Sequence, residues 1–155
     1  MEVENEVAAN IESGRKLEMV LQAANELKAR DIKVLDVRGQ TIVADFFVMC
    51  TGTSITHIQS IAEGVRDRLR ENARLRAKPE GDAGSFWVIM DYSDVIMHIF
   101  DEETREFYDL ERLWADAKIT QVDEDGTQTV VKEQNEVGQN SESSAEIGAE
   151  SPENS

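Results

Sequence analysis

Gly52-Thr53-Ser54 stands between an apolar run and an amphipathic one, where the backbone N–H groups that open a helix can hold a phosphate. A nucleotide-transferring enzyme built on such a turn would follow it with two carboxylates alternating on a strand to hold Mg²⁺. No Asp-x-Asp follows here. Asp91 and Asp94 instead flank Tyr92-Ser93, a turn composition in which aspartate bonds its own backbone. The triplet therefore reads as a helix cap, and nucleotidyl transfer through Asp36, Asp45 and Asp91 stands as the alternative chemistry. Cys50 is the single cysteine and lies inside the apolar run of residues 46–51, so it has no internal disulfide partner and reads as a core thiol rather than a nucleophile. His57 and His98 have no His or Cys at ligand spacing, so no metal or haem cofactor is expected. Trp87 remains: it reads either as one more core aromatic of the hairpin or, beside Asp91, Tyr92 and Asp94, as an aromatic anchor ringed by acids, which suits a basic protein partner.

These residues need elements to carry them. Leu17, Val20, Leu21, Ala24 and Leu27 recur at helical spacing and give a first helix closed by Lys28 and Arg30. Residues 32–37 are β-branched and short, and Arg38-Gly39-Gln40 supplies a turn after them. Residues 45–51 are apolar at consecutive positions, as in a central strand covered on both faces. Thr53 or Ser54 caps a second helix with Ile58, Ile61, Ala62, Val65 and Leu69 on one stripe. After a weak strand and a glycine-rich turn come residues 85–91 and 95–100, which pair as a hairpin, with Trp87 and Ile89 on one face and Ile96, His98 and Phe100 on one face of the partner. Asp101, Glu102 and Glu103 open a closing helix whose buried stripe is Phe107, Leu110, Leu113 and Trp114, ending near Lys118. The order predicts an α/β fold: a mixed sheet of about five strands flanked by helices.

The charge is unevenly spread. Of the net −16, residues 1–14 carry −4, residues 15–120 carry −4 and residues 121–155 carry −8. The expected organisation is a disordered acidic arm over 1–14, one α/β domain over 15–120, and a disordered acidic tail over 121–155 too poor in apolar residues to offset ordering entropy. An acidic chain is repelled by phosphate backbones and anionic membranes, so little or no direct nucleic-acid binding and no membrane partner are expected. The basic stretch Arg66 to Lys78, on a helix end and its exit, reads first as a solvated face, with local phosphate contact as the alternative. No apolar run reaches the roughly 20 residues that span a bilayer, and the acidic start is unlike a secretory or transit peptide, so a cytoplasmic location is expected.

Residues 44–48 (ADFFV) running into Gly52-Thr53-Ser54, then residues 87–95 (WVIMDYSDV) with His98 and Phe100, and residues 105–114 (REFYDLERLW) resemble the Iojap / ribosomal silencing factor family in order and spacing. The resemblance covers about residues 17–117. It implies a nucleotidyltransferase-like sandwich without that enzyme's active site, and hence a protein that is not an enzyme. It also implies docking on a basic ribosomal protein of the large subunit beside an intersubunit bridge, steric exclusion of the small subunit, translational repression under nutrient limitation, and a homodimer. The partner-binding role carries onto Trp87, Asp91, Tyr92, Asp94 and His98, and further onto Phe100 and Tyr108. Two positions depart from the family pattern: Ser93 stands where Gly is common, and Thr56 where an Arg is frequent.

Overall fold

In the computed structural model, backbone is described for residues 2–80 and 84–135, and side chains for 13–78 and 84–135. The chain runs α1 (Glu2–Glu26), β1 (Arg30–Asp36), β2 (Phe46–Thr51), α2 (Ile55–Ala73), β3 (Lys78–Glu80), β4 (Trp87–Asp91), β5 (Val95–Phe100), α3 (Glu102–Tyr108), α4 (Leu110–Leu113), β6 (Lys118–Val122) and β7 (Gln128–Lys132). The strands form one mixed sheet in the order β3-β4-β5-β2-β1-β6-β7, with β2–β5 its parallel pair.

β2 explains why its sequence is a continuous apolar run. It lies between β5 and β1, and successive side chains go to opposite faces, Val48 and Cys50 into one core and Phe47 and Met49 into the other. The first core is roofed by α1 and α2, whose Val20, Leu21, Ala24, Ile58, Ile61, Val65 and Leu69 pack on Ile32, Val34, Met97 and Ile99. Each such large side chain contributes about 1.5–3 kcal/mol when fully buried. The second core, around Leu35, Phe47, Met49, Ile96 and Phe100, is partly covered by Leu110 and Trp114.

Three expectations need correction. The sheet has seven strands rather than about five, because Lys118–Val122 pairs with β1 and Gln128–Lys132 pairs with β6, where an acidic tail from 121 was expected. Ile119 and Val122 are buried against the sheet, and that burial orders the segment; residues 136–155 lie outside the described residues. Helix α1 begins at Glu2, inside the expected arm of 1–14. The closing helix is two pieces, because Asp109 takes a left-handed φ of 47° between α3 and α4. That break turns Phe107 and Leu113 outward, 79% and 70% exposed, while Leu110 and Trp114 keep their place on the core.

Candidate functional site

The Gly52-Thr53-Ser54 turn is used up internally. The Gly52 N–H donates to the Phe100 carbonyl at 2.9 Å and the Thr53 N–H to His57 Nδ1 at 2.9 Å. Ser54 is the N-cap, its Oγ accepting from the His57 N–H at 3.0 Å. With Nδ1 accepting, His57 donates from Nε2 to the Leu27 carbonyl at 3.1 Å, which ties α2 to the end of α1. The Gly52, Thr53 and His57 N–H groups are therefore already engaged within the protein. Asp36 and Asp45 stand at the opposite end of the β1–β2 ladder from Gly52, since Asp36 pairs with Phe46 and Arg30 with Thr51. Asp36 holds Arg38 through two side-chain bonds of 2.9 and 2.7 Å; burial pushes its carboxyl up, but these bonds outweigh it and leave it below the usual range. Among the described residues no group of three His, Cys, Asp or Glu converges as metal ligands would. Cys50 is fully buried and burial pushes its thiol up to about 12, so a thiolate is not available near neutral pH.

The hairpin is arranged differently. Trp87, Ile89 and Asp91 lie at alternate positions of β4, on the sheet face away from α1 and α2, and all three are partly exposed. At one end of this row Trp87 meets Tyr108 at a tilt of 47° with 4.7 Å between ring centroids, Tyr108 meets Phe107 edge-on at 5.0 Å, and Phe86, Phe107 and Tyr108 are exposed. Trp87 is held from below: its Nε1–H donates to His98 Nδ1 at 3.1 Å, and its ring packs on Phe100 at 5.5 Å. At the other end Asp91 borders a hollow of about 470 Å³ with Ile42, Val43, Asp45, Ser93 and Asp94. Ile42 is fully exposed and Val43 largely so, which places two apolar tips among carboxylates.

The seven residues expected to meet a partner thus separate into layers. Trp87, Asp91, Asp94 and Tyr108 reach the surface. His98 at 8% and Phe100 at 0% exposure support that surface from beneath. Burial holds His98 down to about 4, so the ring is neutral and its Nδ1 stays an acceptor for Trp87. Tyr92, 3% exposed, belongs to the core on the α1–α2 side and is not brought together with Trp87; burial pushes its phenol up to about 12. Lys16 fixes this turn, donating to the Tyr92 carbonyl at 3.0 Å and to Asp94 Oδ1 at 3.2 Å. Ser93 adopts a left-handed φ of 75°, with its N–H bonded to Asp91 Oδ1 at 2.8 Å. Glycine takes that conformation without a side-chain penalty, so Ser93→Gly is expected to stabilise the protein by about 1 kcal/mol in urea denaturation. A loss of stability would count against a strained turn. Ile42, Val43, Phe86 and Phe107 were missed by sequence reasoning; an apolar pair between the Gly39 turn and Asp45 was the available signal for the first two.

The chain matches the family model described as "Ribosomal silencing factor during starvation" over residues 10–151. It is 37% identical over 107 residues to the ribosomal silencing factor RsfS of Bacillus subtilis, covering 69% of this chain and 91% of that one. It is 29% identical over 102 residues to the mouse protein named mitochondrial assembly of ribosomal large subunit protein 1, covering 63% of this chain and 44% of that one. A crystal structure of a Chromobacterium violaceum protein is similar at a TM-score of 0.62 and 28% identity, over 66% of this chain and 86% of that one.

Proposed function

Because the chain belongs to the ribosomal silencing factor family, regulators rather than catalysts, we propose that it acts in the cytoplasm by binding alone. It docks on the large ribosomal subunit through a basic ribosomal protein at an intersubunit bridge, excludes the small subunit by occupying that space, and represses translation when nutrients are scarce. The observation that carries this reading is the partly exposed row Trp87–Ile89–Asp91, with aromatic rings at one end and acids around Ile42 and Val43 at the other. Buried aromatic anchors supply most of an interface's binding energy, and a surrounding rim of carboxylates steers a basic partner and fixes its register. The name of the mouse relative supports the choice of subunit.

Cosedimentation with isolated large subunits, followed by addition of small subunits, tests the proposal. The wild-type protein is expected to pellet with large subunits and to lower the fraction that join. Trp87→Ala and Tyr108→Ala should each weaken binding roughly thirty-fold, the effect of losing an aromatic hot spot of about 2 kcal/mol. Failure of the wild-type protein to pellet with large subunits would overturn it.

A further inference from the structure

The acidic face has a basic border. Residues 66–78 hold six bases (Arg66, Arg68, Arg70, Arg74, Arg76 and Lys78) against two acids, Asp67 and Glu71, in a chain of net charge −16. The local structure turns this composition into a directional surface. Helix α2 ends at Ala73, and Arg74 takes the left-handed C-cap, its N–H bonded to the Arg70 carbonyl. The chain then continues into β3 with Leu75 and Ala77 packed inward on the core and Arg74, Arg76 and Lys78 exposed at alternate positions. Arg66, Arg68 and Arg70 are engaged with Asp67, Glu26 and Glu71. Arg74, Arg76 and Lys78 make no ion pair among the described residues. Lys78 pairs with Asp91 across β3–β4 and lines the same hollow as Asp91 and Asp94. Lys78 thus joins the docking face, and the exposed Arg76 and Arg74 precede it on the same segment.

A net-acidic protein gains nothing in bulk from approaching RNA, so cations collected at one edge have a local use. The ribosomal protein proposed above as the partner belongs to a particle built largely of RNA, whose backbone carries one negative charge per phosphate. From this juxtaposition, and resting on the large-subunit reading above, we infer that Arg74, Arg76 and Lys78 contact the RNA phosphate backbone next to the ribosomal protein that the acidic and aromatic face engages. The contact is to phosphate, without base readout, and positions the protein on the subunit.

Two measurements on the full-length protein test this. In cosedimentation with isolated large subunits between about 50 and 200 mM salt, the combined variant Arg74→Ala, Arg76→Ala, Lys78→Ala should bind roughly tenfold more weakly. Its slope of log K against log salt should be shallower by about 2 to 3, because each phosphate contact contributes close to one. Arg74→Lys with Arg76→Lys keeps the charges and should keep the slope, whereas Trp87→Ala should lose affinity at an unchanged slope. Because Cys50 is buried, Asn72→Cys offers one reactive thiol beside the stripe for a tethered iron chelate, which should cleave the adjacent ribosomal RNA strand. An unchanged affinity and slope in the triple variant, or no strand scission from position 72, would overturn the RNA contact while leaving the protein-docking reading standing. Loss of wild-type binding to large subunits would overturn both.

Discussion

Arg105→Leu is expected to destabilise the protein by about 2–3 kcal/mol, the cost of taking a charged donor away from hydrogen-bonding groups that burial keeps from water. The guanidinium is 6% exposed and packs 6.0 Å from the Phe100 ring centroid. Its Nη1 donates to the Asp31 carbonyl at 2.7 Å and to Thr51 Oγ1 at 2.9 Å, and carboxylates of Asp31 and Glu111 lie within 3.7 Å. Leucine could fill much of the volume, but it would leave the buried Thr51 hydroxyl and the partly buried Asp31 carbonyl without this donor. Asp31 adds to the cost: its φ is 50°, at the irregularity where β1 slips register against β2 between Arg30 and Lys33. Arg105 thus clamps α3 onto the strained start of β1 and the end of β2. Arg105→Lys reaches fewer of these oxygens and should fall between the two. Urea unfolding midpoints would decide it; a leucine variant within about 1 kcal/mol of wild type would show the clamp to be dispensable. α3 also carries Tyr108, so a loosened clamp should blur the Trp87–Tyr108 contact that the docking face relies on.

The second large effect is a pH dependence. His98 is held down to about 4 by burial, against 6.5 for an exposed histidine. Between those values the unfolded chain binds a proton that the folded one refuses, so folding stability is complete above about pH 6.5 and falls as the pH drops toward 4. At about 1.4 kcal/mol per pH unit the loss from this single group approaches 3 kcal/mol. Forcing the proton on also removes the acceptor for Trp87 Nε1 and puts a cation among Phe47, Trp87 and Phe100. His98→Asn keeps an acceptor and does not titrate. Denaturation at several pH values should show the extra acid sensitivity in wild type and its absence in the variant, over the same background of carboxylate titration. Parallel curves for the two proteins would remove His98 as the cause.

Much of the architecture could be read from pattern because its elements are buried on characteristic faces. The unbroken apolar run of β2 announced a central strand, the stripe from Ile58 to Leu69 announced α2, and the alternation in β4 and β5 announced a hairpin. β6 and β7 were hidden. Lys118–Val122 buries little more than Ile119 and Val122, and β7 is an edge strand exposed along most of its length, so neither carries the apolar density that marks a strand. On the candidate face, the partial exposure of Trp87, Asp91 and Asp94 was legible from residue type and position. It was misread at Tyr92, since a tyrosine in an acidic turn looks like surface until the register sends it beneath α1 and α2. Arg105 was invisible as a clamp because its partners Asp31 and Thr51 are distant in sequence.

The strand order also sets a timetable for the newborn chain. β1 and β2 are made early, yet Val48 of β2 waits for Met97 of β5, and Val34 of β1 waits for Thr120 of β6. Such long closures are slow, because loop entropy is lost before the contacts that reward it can form. The middle of the sheet therefore stays open at both edges until nearly the whole domain has left the exit tunnel. Until then the FFVMCT strand, paired only with β1, is an apolar segment with one edge open, the kind that draws chaperones or aggregates when synthesis outpaces closure.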